Sequence, residues 1–92
     1  MDMQVNGNVI NINSPIATIA DAHQLIEVLN SKENASHLIL NIKSFSLPSS
    51  IIGELLRLAD SNVKITINIY DNTLYELFEA LNLTSKFDIR KR

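Results

Sequence analysis

The sequence contains no cysteine and no tryptophan, and it has only two glycines, two prolines and two histidines among 92 residues. Without cysteine, neither a disulfide framework nor a thiolate metal site can form. The histidines, His23 and His37, lie far apart in the chain, so a histidine-based metal site has little support. The glycines, Gly7 and Gly53, do not form a glycine-rich phosphate loop. We therefore predict no metal ligands and no cofactor.

Aromatic residues are also scarce, at 5% of the chain, although 46% of it is hydrophobic. The core must therefore consist of Ile, Leu and Val. A chain of this length buries roughly 60–70% of its unfolded surface, which is enough for one core, so we predict one domain over residues 1–92. No apolar run reaches the ~20 residues that span a bilayer, and the N-terminus lacks the regions of a signal peptide. We predict a cytoplasmic protein without direct membrane insertion.

Charge is distributed unevenly along the chain. Residues 1–89 contain ten acids and five bases, whereas Arg90-Lys91-Arg92 adds three positive charges. We interpret the chain from about residue 90 as a solvated basic tail. Nucleic-acid binding is typical of a basic face with interleaved aromatics, and the body of this domain is acidic. We therefore expect no nucleic-acid partner.

The first half of the chain predicts a hairpin, a helix and a buried strand. Asn6-Gly7 is a strong turn signal between two short strands, residues 3–5 and 9–13. Residues 18–30 have helical spacing, and Thr18 with Asp21 resembles a capping box. The predicted buried stripe of this helix is Ile19, Ala22, Ile26 and Leu29. Residues 37–42 are apolar on both faces, as in a central strand.

The second half predicts two further helices with a strand between them. Residues 49–59 are helical with a wide apolar face. Residues 63–70 alternate as a strand with one buried face. Thr73 with Glu76 predicts a second capping box, for a helix whose stripe is Leu74, Leu77, Phe78 and Leu81. Residues 86–90 form a weak strand or a tail.

These elements predict an α/β domain of order β-β-α-β-α-β-α, with a short final β as an option. Right-handed crossovers favour a mixed sheet with the helices packed mainly on one face.

Catalytic residues are not evident. His23 and His37 are best interpreted as structural or exposed, because no nucleophile is paired with either. Glu76 and Glu79 share one helix flank, as many solvated pairs do. We predict no catalytic residues and no enzymatic activity.

Ser49 and Ser50 stand at a strand-to-helix junction after Pro48, a composition typical of an N-cap. A serine hydroxyl there would accept a backbone N–H and stabilise the helix by about 1 kcal/mol. The start of a helix also tolerates an added phosphate, because its free N–H groups and dipole favour negative charge.

The stretch Pro48-Ser49-Ser50-Ile51-Ile52-Gly53 resembles the Asp-Ser-Ser-Gly-Leu-Gly motif of the STAS domain, the fold of bacterial anti-sigma factor antagonists. The preceding strand Leu38 to Ile42, the strand Val63 to Tyr70 and the segment Leu77 to Leu83 also resemble the family pattern. The resemblance covers residues 9 to 89 and implies a STAS-like single domain.

By this resemblance Ser49 is the candidate phosphoacceptor, with Ser50 beside it. The resemblance implies a regulatory protein–protein interaction module whose partner is an anti-sigma factor that is also a serine kinase. Phosphorylation would prevent capture by the partner, because a dianion in a close interface without a cation is costly. The candidate partner-binding residues are Pro48, Ile51, Ile52, Gly53, Glu54 and Arg57.

Two alternatives remain open. Pro48 replaces the aspartate of the family motif and Ile51 replaces its first glycine. Both changes favour a constitutive, unphosphorylated STAS docking subunit of a membrane transport or signalling complex. The first strand, in which neither Lys nor Pro blocks the edge, would also permit a homodimer.

Overall fold

A computed structural model describes all residues from Met1 to Arg92. The elements are β1 (Met3–Asn6), β2 (Val9–Ile12), α1 (Ile19–Asn30), β3 (His37–Ile42), α2 (Ser49–Asp60), β4 (Lys64–Ile69), α3 (Asn72–Ala80), a 3₁₀ turn (Leu83–Ser85) and β5 (Asp88–Lys91). The predicted α/β class and order of elements are confirmed, including the optional final strand.

The five strands form one mixed sheet in the order β1-β2-β3-β4-β5. β1 pairs antiparallel with β2 through the Asn6-Gly7 turn, and the other three pairings are parallel. Each parallel pair is joined by a helix, and every crossover steps across the sheet in the same direction. Because such crossovers are right-handed, the three helices pack on the same face of the sheet. The apolar strand β3 is the central strand, as its sequence predicted.

A single cluster of 21 buried hydrophobic residues lies between the sheet and the helices. Phe78 and Phe87 are its only aromatic members, so the prediction of an aliphatic core is confirmed. Alternate residues of the strands supply one side of the cluster, and α1, α2 and α3 supply the other. The inward strand residues are Ile10, Ile12, Leu38, Leu40, Ile42, Ile65, Ile67 and Ile69.

The start of α1 follows the prediction. Thr18 is the N-cap, and its Oγ1 accepts the Asp21 N–H at 3.0 Å. The Asp21 carboxylate accepts the Ala17 N–H at 3.2 Å and lies 3.5 Å from the Met1 ammonium. Desolvation raises the pKa of Asp21, but the hydrogen bond from Ala17 and the nearby ammonium outweigh it and hold the pKa below its usual value.

The predicted start of α3 is wrong. Asp71 is the N-cap and accepts the Leu74 N–H at 3.0 Å, so the helix already includes Thr73. Asp71 lies two residues after the end of β4 and has an extended backbone, which is the conformation that a capping residue needs. Asp71 therefore caps the helix before Thr73 can do so.

The predicted buried stripes are partly wrong. Ala22, Leu25 and Leu29 are buried in α1, whereas Ile19 is 90% exposed. Ile19 is the first residue of α1. No earlier turn of the helix lies before it that could pack against the core and cover its side chain.

The stripe of α3 is narrower than predicted. Leu74 and Phe78 are buried, whereas Leu77 and Leu81 are 40% and 51% exposed. Only one edge of this short helix therefore reaches the core.

The basic C-terminus is part of the sheet. Arg90 and Lys91 lie in β5, and the Arg92 N–H donates to the Ile69 carbonyl at 2.8 Å. The prediction of a solvated tail from about residue 90 is therefore wrong. Phe87 is buried and Ile89 packs against the core, so apolar contacts fix this strand although its outward side chains are charged.

The face of the sheet opposite the helices carries a row of asparagines. Asn11, Asn41 and Asn68 are register partners on β2, β3 and β4. Asn68 Nδ2 donates to Asn41 Oδ1 at 2.7 Å, and Asn41 Nδ2 donates to Asn11 Oδ1 at 2.7 Å. Arg92 Nε donates to Asn68 Oδ1 at 3.2 Å. We call these three amides the asparagine ladder.

Replacing Asn41 with valine is expected to lower the free energy of unfolding by about 1–2 kcal/mol, because the amides of Asn11 and Asn68 each lose a partner. The triple valine variant at positions 11, 41 and 68 is expected to be more stable than this single variant, since it leaves no ladder amide unpaired and valine suits a strand. Urea denaturation measures both. A triple variant that loses three times as much as the single one would contradict the pairing account.

Candidate functional site

The serine pair lies at the carboxyl end of the parallel strands. β3 ends at Ile42 and α2 begins at Ser49. In a sheet of this topology the carboxyl ends of β2, β3 and β4 and the first turns of α1, α2 and α3 meet at one end. We call this end of the molecule the carboxyl end. Ligands of open α/β sheets bind there as a rule.

The first turn of α2 differs from its prediction. Pro48 is the N-cap, and no side chain caps the helix. The Pro48 carbonyl accepts the N–H groups of Ile51 at 3.0 Å and Ile52 at 3.3 Å. The prediction that a serine hydroxyl caps this helix is therefore wrong. Proline can take the cap position because the backbone φ there is −59°, which is the value that its ring imposes.

Ser49 and Ser50 are the first two residues of α2, and both side chains are exposed. Gly53 follows within one turn and is also exposed, and a Cβ built on it would meet no atom within 4 Å. Residues three and four apart are neighbours on a helix surface. The three residues therefore form a bare, small-residue surface at the start of α2.

The other candidate partner-binding residues have mixed positions. Ile51 is completely buried in the core, so a partner cannot contact it, and its assignment to the interface is wrong. The helical period turns Ile51 inward when Ser49 and Ser50 face solvent. Ile52 packs against the core and is half-buried, as is Pro48.

Arg57 and Glu54 belong to a different contact. The Arg57 guanidinium hydrogen-bonds the Glu54 carboxylate, lies 3.7 Å from Glu33 and donates to Asn30 Oδ1 at 3.0 Å. The hydrogen bond to Glu54 is the main cause that raises the pKa of Arg57 above its usual value. Arg57 joins α2 to the end of α1, and eight residues of helix, about 12 Å, separate it from Ser49. The structure therefore does not bring Arg57 to the serine pair.

Three exposed apolar side chains at the carboxyl end were missed by sequence reasoning. They are Ile19 at 90% exposure, Phe45 at 59% and Tyr70 at 46%. Ile19 begins α1, Phe45 lies in the loop before α2, and Tyr70 follows β4. The available signal for Phe45 was a large apolar residue between Ser44 and Ser46, outside the predicted strand and helix.

The loop before α2 holds Phe45 outward by local hydrogen bonds. The buried Ser44 hydroxyl donates to the Ser46 carbonyl at 2.7 Å, and the same oxygen accepts the Ser46 N–H at 3.3 Å. Leu47 is buried. Because the residues on both sides of Phe45 are fixed, its ring projects from the surface within a few residues of Ser49.

The two histidines occupy structural or exposed positions, as predicted. His23 lies on the exposed side of α1, where Nε2 is 3.0 Å from Glu27. His37 Nε2 is 3.0 Å from Thr66 Oγ1 across β3 and β4. No group of three His, Asp or Glu side chains is placed to hold a metal ion, and the surface has no concave pocket.

No protein-family model, curated protein or solved structure matches the chain. The STAS resemblance therefore stays a prediction from the residues quoted above. None of the helices has the length and apolar character needed to cross a membrane.

Proposed function

We propose that the chain is a protein–protein interaction module that docks its partner on the carboxyl end. The observation that carries this proposal is the exposure of Ile19 and Phe45 at the same end as Ser49 and Ser50. Large apolar side chains held at the surface are typical of interaction sites, and bulky anchors of this kind dominate binding energy. The small residues of α2 permit the partner to approach closely.

Phosphorylation of Ser49 is the regulatory step of this proposal. The first turn of α2 has no acidic residue and no side-chain cap. Its free N–H groups can therefore donate to the phosphate of a phosphoserine, and the helix stays folded. The cation on α2, Arg57, is already engaged with Glu54 and Glu33. An added phosphate would therefore face the partner uncompensated and oppose binding. An anti-sigma factor that is also a serine kinase is the partner that the STAS resemblance supports.

A constitutive docking subunit of a membrane transport or signalling complex is the second candidate. Pro48 caps the helix where the STAS family motif has an acidic residue, and the buried Ile51 takes the place of a glycine. Both features lie in the segment that a kinase would recognise. In this case the same surface binds its partner without modification.

The test uses a photocrosslinking amino acid at position 45 in the protein expressed in its own cells, with position 81 as the matched control. Leu81 is exposed to a similar degree but lies after α3. We expect a specific adduct from position 45 and none from position 81. An adduct at position 81 alone would contradict docking at the carboxyl end.

The same experiment separates the two candidates. In the regulatory case, Ser49→Asp is expected to weaken capture of the crosslinked partner at least tenfold, and mass spectrometry is expected to find phosphate on Ser49. Ser36→Asp is the control, since Ser36 is exposed just before β3, at the opposite end of the strands, and is expected to have little effect. Unchanged capture by Ser49→Asp, with an unmodified serine in every growth condition, would leave constitutive docking.

The homodimer stays a prediction, and the surface that it would use is the edge of the sheet at β1. β1 is an edge strand, and Gln4, Val5 and Asn6 are exposed. Sedimentation at high concentration tests it directly.

A further inference from the structure

The face of the sheet opposite the helices is not covered by any part of the chain. Parallel strand pairs are normally covered on both faces, and here three of the four pairings are parallel. Strand alternation places the following side chains on this open face: Gln4, Asn6, Val9, Asn11, Asn13, His37, Ile39, Asn41, Lys43, Lys64, Thr66, Asn68, Tyr70, Asp88, Arg90 and Arg92. We call this surface the open face.

The open face is basic, although the chain as a whole is acidic. Four of the eight basic residues lie on it, against one acid, Asp88 on β5. The remaining surface then has four bases and nine acids. We expected no nucleic-acid partner because residues 1–89 carry a net negative charge. The fold places the basic and acidic residues on different surfaces, so one face is positive although the average is negative.

The free positive charge of the open face lies over β3, β4 and β5. Arg90 is paired with Asp88 at 3.0 Å, and the hydrogen bond from Arg90 is the main cause that lowers the pKa of Asp88. Lys43, Lys64 and Arg92 are not part of an ion pair. Arg92 uses its Nε for Asn68, which leaves its terminal nitrogens for an external anion.

The asparagine ladder supplies polar groups in the middle of this surface. Arg92 can only donate, so Asn68 must turn its side-chain oxygen toward Arg92. The amide nitrogen of Asn68 then points at Asn41, and the amide nitrogen of Asn41 points at Asn11. Asn41 is bonded on both sides within the ladder, whereas Asn11 is its end and uses only its oxygen. Asn68 is buried, at 8% exposure, and Asn11 and Asn41 are half-buried. The remaining N–H groups of Asn11 and Asn41 can bind the edges of nucleic-acid bases.

One aromatic ring completes the surface. Tyr70 is 46% exposed, and Lys43 Nζ lies over its ring, 5.5 Å from the ring centroid. A base that stacks on this face displaces the ammonium, which is then free to bind the adjacent phosphate. Aromatic rings that stack bases, together with cations that bind the backbone, are typical of single-strand binding.

The chemistry of the open face disfavours a stable protein interface. The centre of a protein interface is apolar and depleted of charge, whereas the central positions here are the amides of Asn41 and Asn68. Val9 and Ile39 are the only aliphatic side chains, and both are half-buried. A polar, wet and positively charged surface is typical of nucleic-acid interfaces.

We propose that the open face binds single-stranded nucleic acid. Lys43, Lys64 and Arg92 neutralise phosphates, Tyr70 stacks a base, and the asparagine ladder hydrogen-bonds base edges. A flat sheet cannot enter the groove of a duplex, but it can hold unpaired bases against its surface. Tyr70 lies where this face meets the carboxyl end, but the docking residues Ile19 and Phe45 are not on the open face, so the two proposals can fail independently.

The test is fluorescence anisotropy of labelled ten-nucleotide single strands, oligo(U) and a mixed sequence, titrated with the full chain at 50 and 200 mM salt. Three phosphate contacts predict a slope of log K against log salt of about −2, which corresponds to about a 20-fold loss of affinity between the two salts. A duplex of the same mixed sequence is expected to bind more weakly.

Two double variants provide the matched comparison. Lys43→Gln with Lys64→Gln removes two charges from the open face, and its slope is expected to fall to about −0.7, with at least a tenfold loss of affinity at 50 mM salt. Lys32→Gln with Lys91→Gln removes the same charge elsewhere and is expected to change affinity less than twofold. Lys91 neighbours Arg90 and Arg92 in sequence, but its Nζ lies 6.0 Å from the ring of Tyr75, on the helix side.

Stacking is tested separately from charge. Tyr70→Leu is expected to weaken binding about tenfold with an unchanged salt slope. Phe45→Leu removes a more exposed aromatic ring that lies outside the open face, and it is expected to leave nucleic-acid binding unchanged. All four variants alter exposed or half-buried side chains, and circular dichroism checks that each is folded.

Three results would overturn the proposal. The first is the absence of binding to either strand at about 100 µM protein, the weak limit of non-specific affinity. The second is an equal loss of affinity in the two double-lysine variants. The third is binding of poly-glutamate as tight as that of the single strand and with the same response to the variants, which would assign the open face to an acidic protein.

Discussion

Replacing Phe78 with alanine is expected to lower the free energy of unfolding by about 3–5 kcal/mol, the range for deleting a buried aromatic side chain. Phe78 is completely inaccessible to solvent and is the largest of the fully buried side chains. It lies on α3, whose only other buried residue is Leu74. This helix packs against β4, whose inward residues are isoleucines with stiff side chains, so we expect the vacated volume to be filled only in part.

The measurement is urea denaturation followed by circular dichroism, with Leu81→Ala as the matched control. Leu81 follows the same helix but is 51% exposed, so its replacement is expected to change the free energy by less than about 0.5 kcal/mol. The Phe78 variant should also melt at least 12 °C lower, at roughly 4–8 °C per kcal/mol for a domain of this size. Equal losses in the two variants would show that α3 is packed in a different orientation.

Replacing Ile51 with alanine is expected to cost about 2–5 kcal/mol, because its side chain is also fully buried. This outcome separates the two roles that the position could have. A contact residue could be truncated with little effect on stability and a large effect on partner binding, whereas a core residue shows the opposite. Ile51 directly follows the serine pair but faces the core, so the experiment identifies which side of α2 faces the partner.

The controls for this prediction are Ile51→Val and Ser50→Ala. Valine preserves most of the buried volume, so a loss of only about 0.5–1.5 kcal/mol is expected. Ser50 is exposed and does not cap the helix, so its alanine variant should be as stable as the parent. If Ile51→Ala unfolds at the same urea concentration as the parent while binding its partner less well, Ile51 returns to the interface.

The elements of the fold could be predicted because their patterns are local. β3 has the predicted bounds of residues 37–42, and α2 differs from its prediction by one residue at its end. In both segments the spacing of the apolar residues indicates the type of element, and the flanking polar residues indicate the same bounds. At the start of α3 the choice between Asp71 and Thr73 depended on where the preceding strand ends, which alternation alone does not fix.

The exposed residues of the carboxyl end could not be predicted from periodicity. Ile19 shares a helical spacing with Ala22 and Ile26, but the buried residues of α1 are Ala22, Leu25 and Leu29. Ile19 lies about 90° around the helix from the middle of that stripe and is 90% exposed. The position of Ser49 and Ser50 at the start of α2 was predicted correctly, but their capping role was wrong because Pro48 occupies the cap. A helical pattern shows which residues share one face of a helix. It does not show how far the end of that helix extends past the elements that pack against it.

The asparagine ladder corresponds to a pattern that is visible in the sequence, because side chains alternate between the two faces of a strand. Each of its members lies between two aliphatic residues, in Ile10-Asn11-Ile12, Leu40-Asn41-Ile42 and Ile67-Asn68-Ile69. A polar residue at the same phase of three strands indicates one polar face. The register that aligns the three residues depends on how the strands pair, so the row itself could be found only in the fold.

The order of the strands in the sheet repeats their order in the chain. No strand is inserted between two strands that precede it in the chain, so the sheet can grow in one direction during synthesis, each new helix and strand adding to an edge that already exists. β5 is the last of the five strands along the chain, and it carries two outward charges, Asp88 and Arg90, with Arg92 directly after it. The free cations of the open face are therefore brought together only after β5 has joined the sheet.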